Sequence, residues 1–199
     1  MGEEIKDKVD IFGETFSEID LSGTKLSYAE FDDCTFVKCD FSSTFFYSCV
    51  FRECRFENCN LSMMKLTDCK IGDVDFISSK LRGIDWTMCN WESILSSEGL
   101  RFDSCVLSDS NFYGLKLDGL VLKECIVKDA DLRETSLKNG DFTQSDFEGS
   151  LFGNCHLQDA DFSEAKNLSI KVSSNHFKNT KISHFEALSL LELDGIIVK

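Results

Sequence analysis

Residues 34–59 read CTFVKCDFSSTFFYSCVFRECRFENC, with cysteines at 34, 39, 49, 54 and 59 and phenylalanines at 36, 41, 46, 51 and 56. The intervals are five residues or ten. Helices repeat at about 3.6 residues and strands at about 2, so neither element alone produces this spacing.

The same count extends in both directions. From Phe16 to Trp91, sixteen successive five-residue units carry a large apolar residue at their centre, and Ile11 begins the row. After an interruption the count resumes at Phe102 and runs for thirteen units to Phe162. Every one of the ten cysteines lies two residues before such a centre: Cys34, Cys39, Cys49, Cys54, Cys59, Cys69 and Cys89, then Cys105, Cys125 and Cys155. Elsewhere that slot holds Thr24, Ala29, Thr44, Val74, Ser79, Ala130, Ser145 or Ala160, all small or β-branched. It is a confined position in which a free cysteine behaves as a small hydrophobe. Between the two apolar slots stands a polar one, often Asp, as at 20, 40, 75, 85, 131, 141, 146 and 161.

Units such as Ala130-Asp131-Leu132-Arg133-Glu134 and Ala160-Asp161-Phe162-Ser163-Glu164 resemble the A(D/N)LXX signature of pentapeptide-repeat proteins, and the resemblance covers residues 11 to 165. It implies an all-β solenoid, a right-handed quadrilateral β-helix with one unit per side and about twenty residues per coil; the handedness comes from the family, not from the spacing. Neighbouring coils then lie about 4.8 Å apart. Cys34 falls above Cys54, Cys39 above Cys59, Cys49 above Cys69 and Cys89, and Cys105 above Cys125, and the reading is of buried thiols rather than disulfides or a metal.

From Trp91 to Phe102 the chain takes eleven residues where two units need ten, so one residue is extra near 92–101. Ser96, Ser97, Glu98 and Gly99 favour a turn there, which reads as a corner insertion or as a loop for a partner. The repeat fades after Ala165. Domain organisation is therefore a β-helix over 1–165 and a tail over 166–199. The tail is a connector with a short strand at Leu168 to Val172, then a helix from His184 to Asp194. Ser183 and Glu186 have capping-box spacing, Gly195 ends the helix, and Ile196 to Val198 form a terminal strand.

This tail serves for capping or for dimerisation. With Leu190, Leu191, Gly195, Ile196 and Val198 it is similar to the ends of Qnr-type quinolone-resistance proteins and of the immunity protein against a gyrase-poisoning microcin. The resemblance implies a two-fold homodimer through Phe185, Leu188, Leu190, Leu191, Ile196, Ile197 and Val198. Many Qnr-type proteins also carry two projecting loops, whereas this chain has only the slight excess near Ser96 to Gly99.

The 199 residues carry a net charge of −14, with −16 on residues 1–165 and +2 on the tail. Such a rod repels nucleic acid and attracts basic surfaces. Assigned to sides by a twenty-residue period, Glu30, Asp32, Asp33, Glu53, Asp73 and Glu92 gather on one side against Arg52 and Lys70, as the candidate partner-binding face. Beyond the break, Asp103, Glu124, Asp141, Asp161 and Glu164 fall on one side and Asp109, Asp129, Asp146 and Glu148 on the next. With the resemblance, this acidity implies a DNA mimic that binds a type II topoisomerase, DNA gyrase or topoisomerase IV. The alternative is an interaction scaffold or immunity factor for another protein.

Catalysis finds no support. His156 occupies an outward slot, His176 lies in the connector and His184 at the helix start, and nothing pairs a nucleophile with a base. No phosphate-binding glycine loop or zinc spacing separates from the repeat, so neither a cofactor nor a metal is expected. The opening MGEEIKDKVD lacks the order of a signal peptide, Lys6 stands where a myristoylation signal wants Ser or Thr, and no apolar run approaches about 18 residues. A cytoplasmic protein without a membrane anchor is expected.

Overall fold

The computed structural model describes residues 5–91 and 99–197. The chain climbs a four-sided coil whose sides are built by successive units. Side 1 is a parallel sheet of Asp10–Phe12, Glu30–Asp32, Val50–Arg52 and Lys70–Gly72. Side 2 pairs Thr15–Ser17, Thr35–Val37, Arg55–Glu57, Asp75–Ile77, Arg101–Asp103 and Val121–Lys123 in one six-stranded parallel sheet. Side 3 is a row of single bridges from Asp20 and Asp40 up to Lys166. Side 4 pairs Lys25–Ser27, Phe45–Tyr47 and Lys65–Thr67, with a 3-10 turn at Trp86–Met88 above them.

Within each unit the central residue points inward and the next coil repeats it. Phe16, Phe36, Phe56, Phe76 and Phe102 form a stack up side 2, with ring centroids 5.2, 4.7, 5.1 and 4.9 Å apart and planes within 14°. The strand spacing of about 4.8 Å sets that distance, and parallel register brings the rings of successive coils into stacked contact.

The fifth residue of the unit makes the corner, and sequence reading missed its role. Tyr28, Asp33, Glu53, Met63, Asp73 and most of their equivalents hold φ between 49° and 62°, in the left-handed region that ordinary side chains avoid. Each such residue costs on the order of 1 kcal/mol. The offset is visible in the ladder: the corner N–H donates to the coil above, Asp33 to the Arg52 carbonyl at 3.0 Å and Glu53 to Gly72 at 3.1 Å.

The confined slot two residues before the centre is more than apolar filler. Cys59 donates its thiol to the Phe36 carbonyl at 3.3 Å, while its sulfur accepts the Cys39 N–H at 3.4 Å. Ser145 does the same with oxygen, donating to Leu122 at 2.7 Å and accepting the Cys125 N–H at 2.8 Å. Cysteine, serine and threonine recur there because they stitch coils together from inside. The ten thiols are free and buried, and burial pushes Cys54 and Cys89 up to about 12, so these two remain protonated and inert.

Two boundaries differ from the sequence reading. Asp75 pairs with Arg101 and Trp86 stacks on Phe112, offsets of 26 residues where a coil needs 20. The insertion after Trp91 is therefore six residues, not one; a five-residue count sees only the remainder. Ser96, Ser97 and Glu98 of the expected turn lie outside the described residues. The coil also continues past Ala165. Lys166 bridges Asp146, His176 bridges His156 and Lys181–Ile182 pairs with Asp161–Phe162, so the segment read as a connector completes another coil. Its strand is Lys181–Ile182 rather than Leu168 to Val172, where a 3-10 turn forms at Val172–Ser174.

Helix α1 spans His184–Leu193 and lies over this last coil. Ser183 precedes it without a side-chain cap bond. Glu186 is 8 % exposed and accepts the N–H groups of Leu168 and Asn167 at 2.9 and 3.3 Å instead of forming the expected capping box. At the other end Asp194 accepts from Val172 N–H at 2.6 Å and Ser173 N–H at 3.2 Å. Leu190 joins the core with Leu168 and Ile170. Gly195, at φ 80°, ends α1 as expected, with its N–H on Glu192 and that of Ile196 on Leu191. Ile196 and Ile197 form no strand, and Val198 lies outside the described residues.

Two measurements check these contacts. Ser145→Ala should lower unfolding free energy by about 1–3 kcal/mol, because a buried N–H and carbonyl lose their partner, while Ser145→Cys should recover most of it; urea titration decides. The Ser173 hydroxyl and the N–H groups of Ser173 and Val172 hold the Asp194 carboxyl below its ordinary range. A lowered folded-state pKa means that this clamp is complete above the unfolded value of about 3.9 and is lost as pH falls through the folded one. Hydrogen-exchange protection of Val172 and Ser173 should fall in that acid window, and Glu186→Ala should loosen α1 at neutral pH.

Candidate functional site

The unit places three outward side chains on each side and corner, so a column of like residues arises wherever the same slot repeats every twenty residues. Asp33, Glu53 and Asp73 occupy the corner between sides 1 and 2, at φ 52°, 50° and 53°. Their register, one coil apart, spaces their backbones by about 4.8 Å. With Thr35, Arg55, Asp75, Gly99 and Arg101 they line a groove of about 750 Å³.

The other predicted acids behave differently. Arg52 binds Glu30 through Nη2 at 3.0 Å and Asp32 through Nε at 3.3 Å, which neutralises much of the centre of side 1. Among the described residues Asp33, Glu53 and Asp73 form no ion pair, whereas the neighbouring guanidiniums turn to side 2: Arg55 to Glu57 at 2.5 Å and Arg101 to Asp75 at 3.7 Å. Glu92 lies outside the described residues. The structure thus brings three of the six predicted acids into one free column and ties two others to a cation.

Register across the insertion decides what happens above it. Phe102 stands on Phe76, so Asp103, Glu124, Asp141, Asp161 and Glu164 belong to side 2, and Asp109, Asp129, Asp146 and Glu148 to side 3. Side 1 continues with Lys116, Asp118, Lys138 and the stacked His156 and His176, whose ring centroids are 4.6 Å apart. The acidic surface therefore shifts around the rod at the break instead of running along one side. Several of its upper members are also paired, Lys128 with Asp146 and Glu148, and Lys181 with Asp161.

The predicted tail residues divide as well. Leu190 is 2 % exposed and serves the core, and Leu188 and Leu191 are half-buried. Phe185 and Ile197 are 77 % and 82 % exposed, and Ile196 is half-exposed, leaving an apolar rim at the end of the coil.

The His156–His176 stack was not foreseen, because the last coil was not recognised. The signal was present: Val172, Phe177 and Ile182 keep the five-residue phase of Phe162, and only Asn167 interrupts it. Among the described residues no group of three or more His, Cys, Asp or Glu side chains could hold a metal ion. No helix there is long and apolar enough to cross a membrane.

The family model described as a pentapeptide repeat region matches residues 29–99 and 95–162. Comparison with curated proteins finds no sequence match. Among solved structures, a trypsin-treated variant of QnrB1, a plasmid-mediated fluoroquinolone resistance protein, matches with a TM-score of 0.63 and 18 % identity, covering 98 % of this chain and 99 % of that one. A second trypsin-treated QnrB1 variant gives 0.61 and 19 % over 100 % and 96 %, and full-length QnrB1 gives 0.60 and 17 % over 94 % and 100 %. At these identities the likeness is one of fold. The five-residue phase, the four-sided coil and the family match agree: the chain belongs to the pentapeptide-repeat family.

Proposed function

We propose that this protein acts in the cytoplasm as a DNA mimic that binds a type II topoisomerase, DNA gyrase or topoisomerase IV, and protects it against fluoroquinolones or a gyrase toxin. The observation that carries the reading is the carboxylate column of Asp33, Glu53 and Asp73, without an ion pair among the described residues, on the corner of an acidic rod. About eight coils give a length of about 38 Å. Duplex DNA presents one charge per about 1.7 Å, and the −16 carried by residues 1–165 is a substantial fraction of that density. The fold shared with QnrB1, itself a fluoroquinolone resistance protein, supports the choice of partner.

A supercoiling assay with and without ciprofloxacin tests it. The protein should restore supercoiling in the presence of drug, and Asp33→Asn, Glu53→Gln, Asp73→Asn together should reduce the restoration at least tenfold with the far-ultraviolet spectrum unchanged. Inhibition without rescue would leave the mimicry and reject protection. No effect in either condition would point to a scaffold for another partner.

In the same proposal two copies join through the exposed rim of Phe185, Ile196 and Ile197, which extends the acidic surface across both rods. Sedimentation should give a dimer, and Phe185→Glu with Ile197→Glu should give a monomer; a doubly substituted protein that stays dimeric places the interface elsewhere.

A further inference from the structure

Side 4 differs chemically from the acidic sides. The chain has three tyrosines, Tyr28, Tyr47 and Tyr113, and all three lie on this side or its corner. Parallel register puts Phe45 between Lys25 and Lys65, and Tyr47 between Ser27 and Thr67. The Lys25 ammonium sits 5.5 Å from the centre of the Phe45 ring. Tyr28 meets Tyr47 edge-on at 5.6 Å, and Phe45 lies 6.4 Å from Tyr47. Tyr28 is 51 % exposed, and neither lysine pairs with a carboxylate among the described residues. Further up, Arg133 lies 5.7 Å from the Tyr113 ring, so both cation–aromatic contacts found among the described residues belong to this one side.

None of this is required by the coil. The slot of Phe45 is filled by Thr15 and Thr35 on side 2 and by Lys25 and Lys65 on side 4 itself, and the core beneath is sealed by Phe46. A cross-strand aromatic pair adds about 0.2–1 kcal/mol to a sheet. That accounts for one aromatic pair but leaves two cations flanking a half-buried ring.

We infer that Lys25, Phe45, Tyr47 and Lys65 form a docking site for an acidic protein segment, one that lays an aromatic or long apolar side chain on the rings and sets carboxylates against the two ammoniums. Charge complementarity selects this occupant. The lysines stand two coils apart, about 9.6 Å; in an extended segment alternate residues share a face, so carboxylates two residues before and two after an aromatic residue flank it on that face, about 13.6 Å apart at the backbone, and the flexible Glu and Lys side chains take up the difference. A polyanionic nucleic acid would match the rings and lysines locally but meet the net charge of −14 over the whole rod, whereas a short segment with two or three carboxylates meets much less repulsion. The site is on the side opposite side 2 and is independent of any topoisomerase.

The test uses the whole protein and a fluorescein-labelled Gly-Ser-Glu-Ser-Trp-Ser-Glu-Ser-Gly peptide followed by anisotropy. Saturable binding should weaken at least tenfold with Phe45→Thr, and likewise with Lys25→Thr plus Lys65→Thr, replacements already native to this slot elsewhere in the coil. The peptide with Gln in place of Glu should lose binding by a similar factor, and added salt should weaken the Glu peptide. Circular dichroism confirms that the variants keep the coil. Absence of saturable binding, equal binding by the Gln peptide, indifference to the substitutions, or tighter binding of an oligothymidylate would each overturn the proposal.

Discussion

The structure depends on the chain turning a corner every fifth residue while still directing its N–H and carbonyl groups along the axis. The left-handed corner residue does both. Its φ carries a steric cost for every side chain but glycine, and the cost is met again at each corner by a hydrogen bond to the next coil, as Asp33 does with Arg52 and Glu53 with Gly72. A corner is therefore stable only when another coil lies above it. The inward thiols and hydroxyls add a second set of links in the same direction, so that Cys59 or Ser145 couples neighbouring coils as well as filling space. Stability of this kind builds up between neighbours, as in other one-dimensional repeats.

Such a ladder needs ends. At the C-terminal end α1 supplies carboxylates to backbone N–H groups that no further coil can satisfy, Glu186 to Asn167 and Leu168, and Asp194 to Val172 and Ser173. The helix is held by these contacts and by Leu190, which explains why it can leave Phe185 and Ile197 exposed without detaching.

The regular coil also converts one-dimensional spacing into surface chemistry. Residues twenty apart become neighbours, so a few substitutions in one slot create a column: carboxylates at Asp33, Glu53 and Asp73, or an aromatic ring between lysines at Lys25, Phe45 and Lys65. The six-residue insertion then rotates the assignment of everything above it, which moves the upper acids to sides 2 and 3 and leaves Lys116 and Lys138 above the lower acidic side.

The sequence by itself determined the coil, its inward rows, the slot shared by the cysteines, the acidity and the helix ended by Gly195, because each is local or repeats with period five. It was blind where the period carries no information. Five-residue phase cannot distinguish an insertion of one from one of six, so the alignment of faces across the break came only from the pairing of Asp75 with Arg101. Nor can acidity reveal which carboxylates are free; Arg52, one coil above Glu30 and Asp32, reaches both and not the corner column. Ser183 and Glu186 had the spacing of a capping box, but the N–H groups of Asn167 and Leu168 won that carboxylate. Only the tertiary structure decides such competitions, since the rival partners lie about one coil apart in sequence and side by side in space.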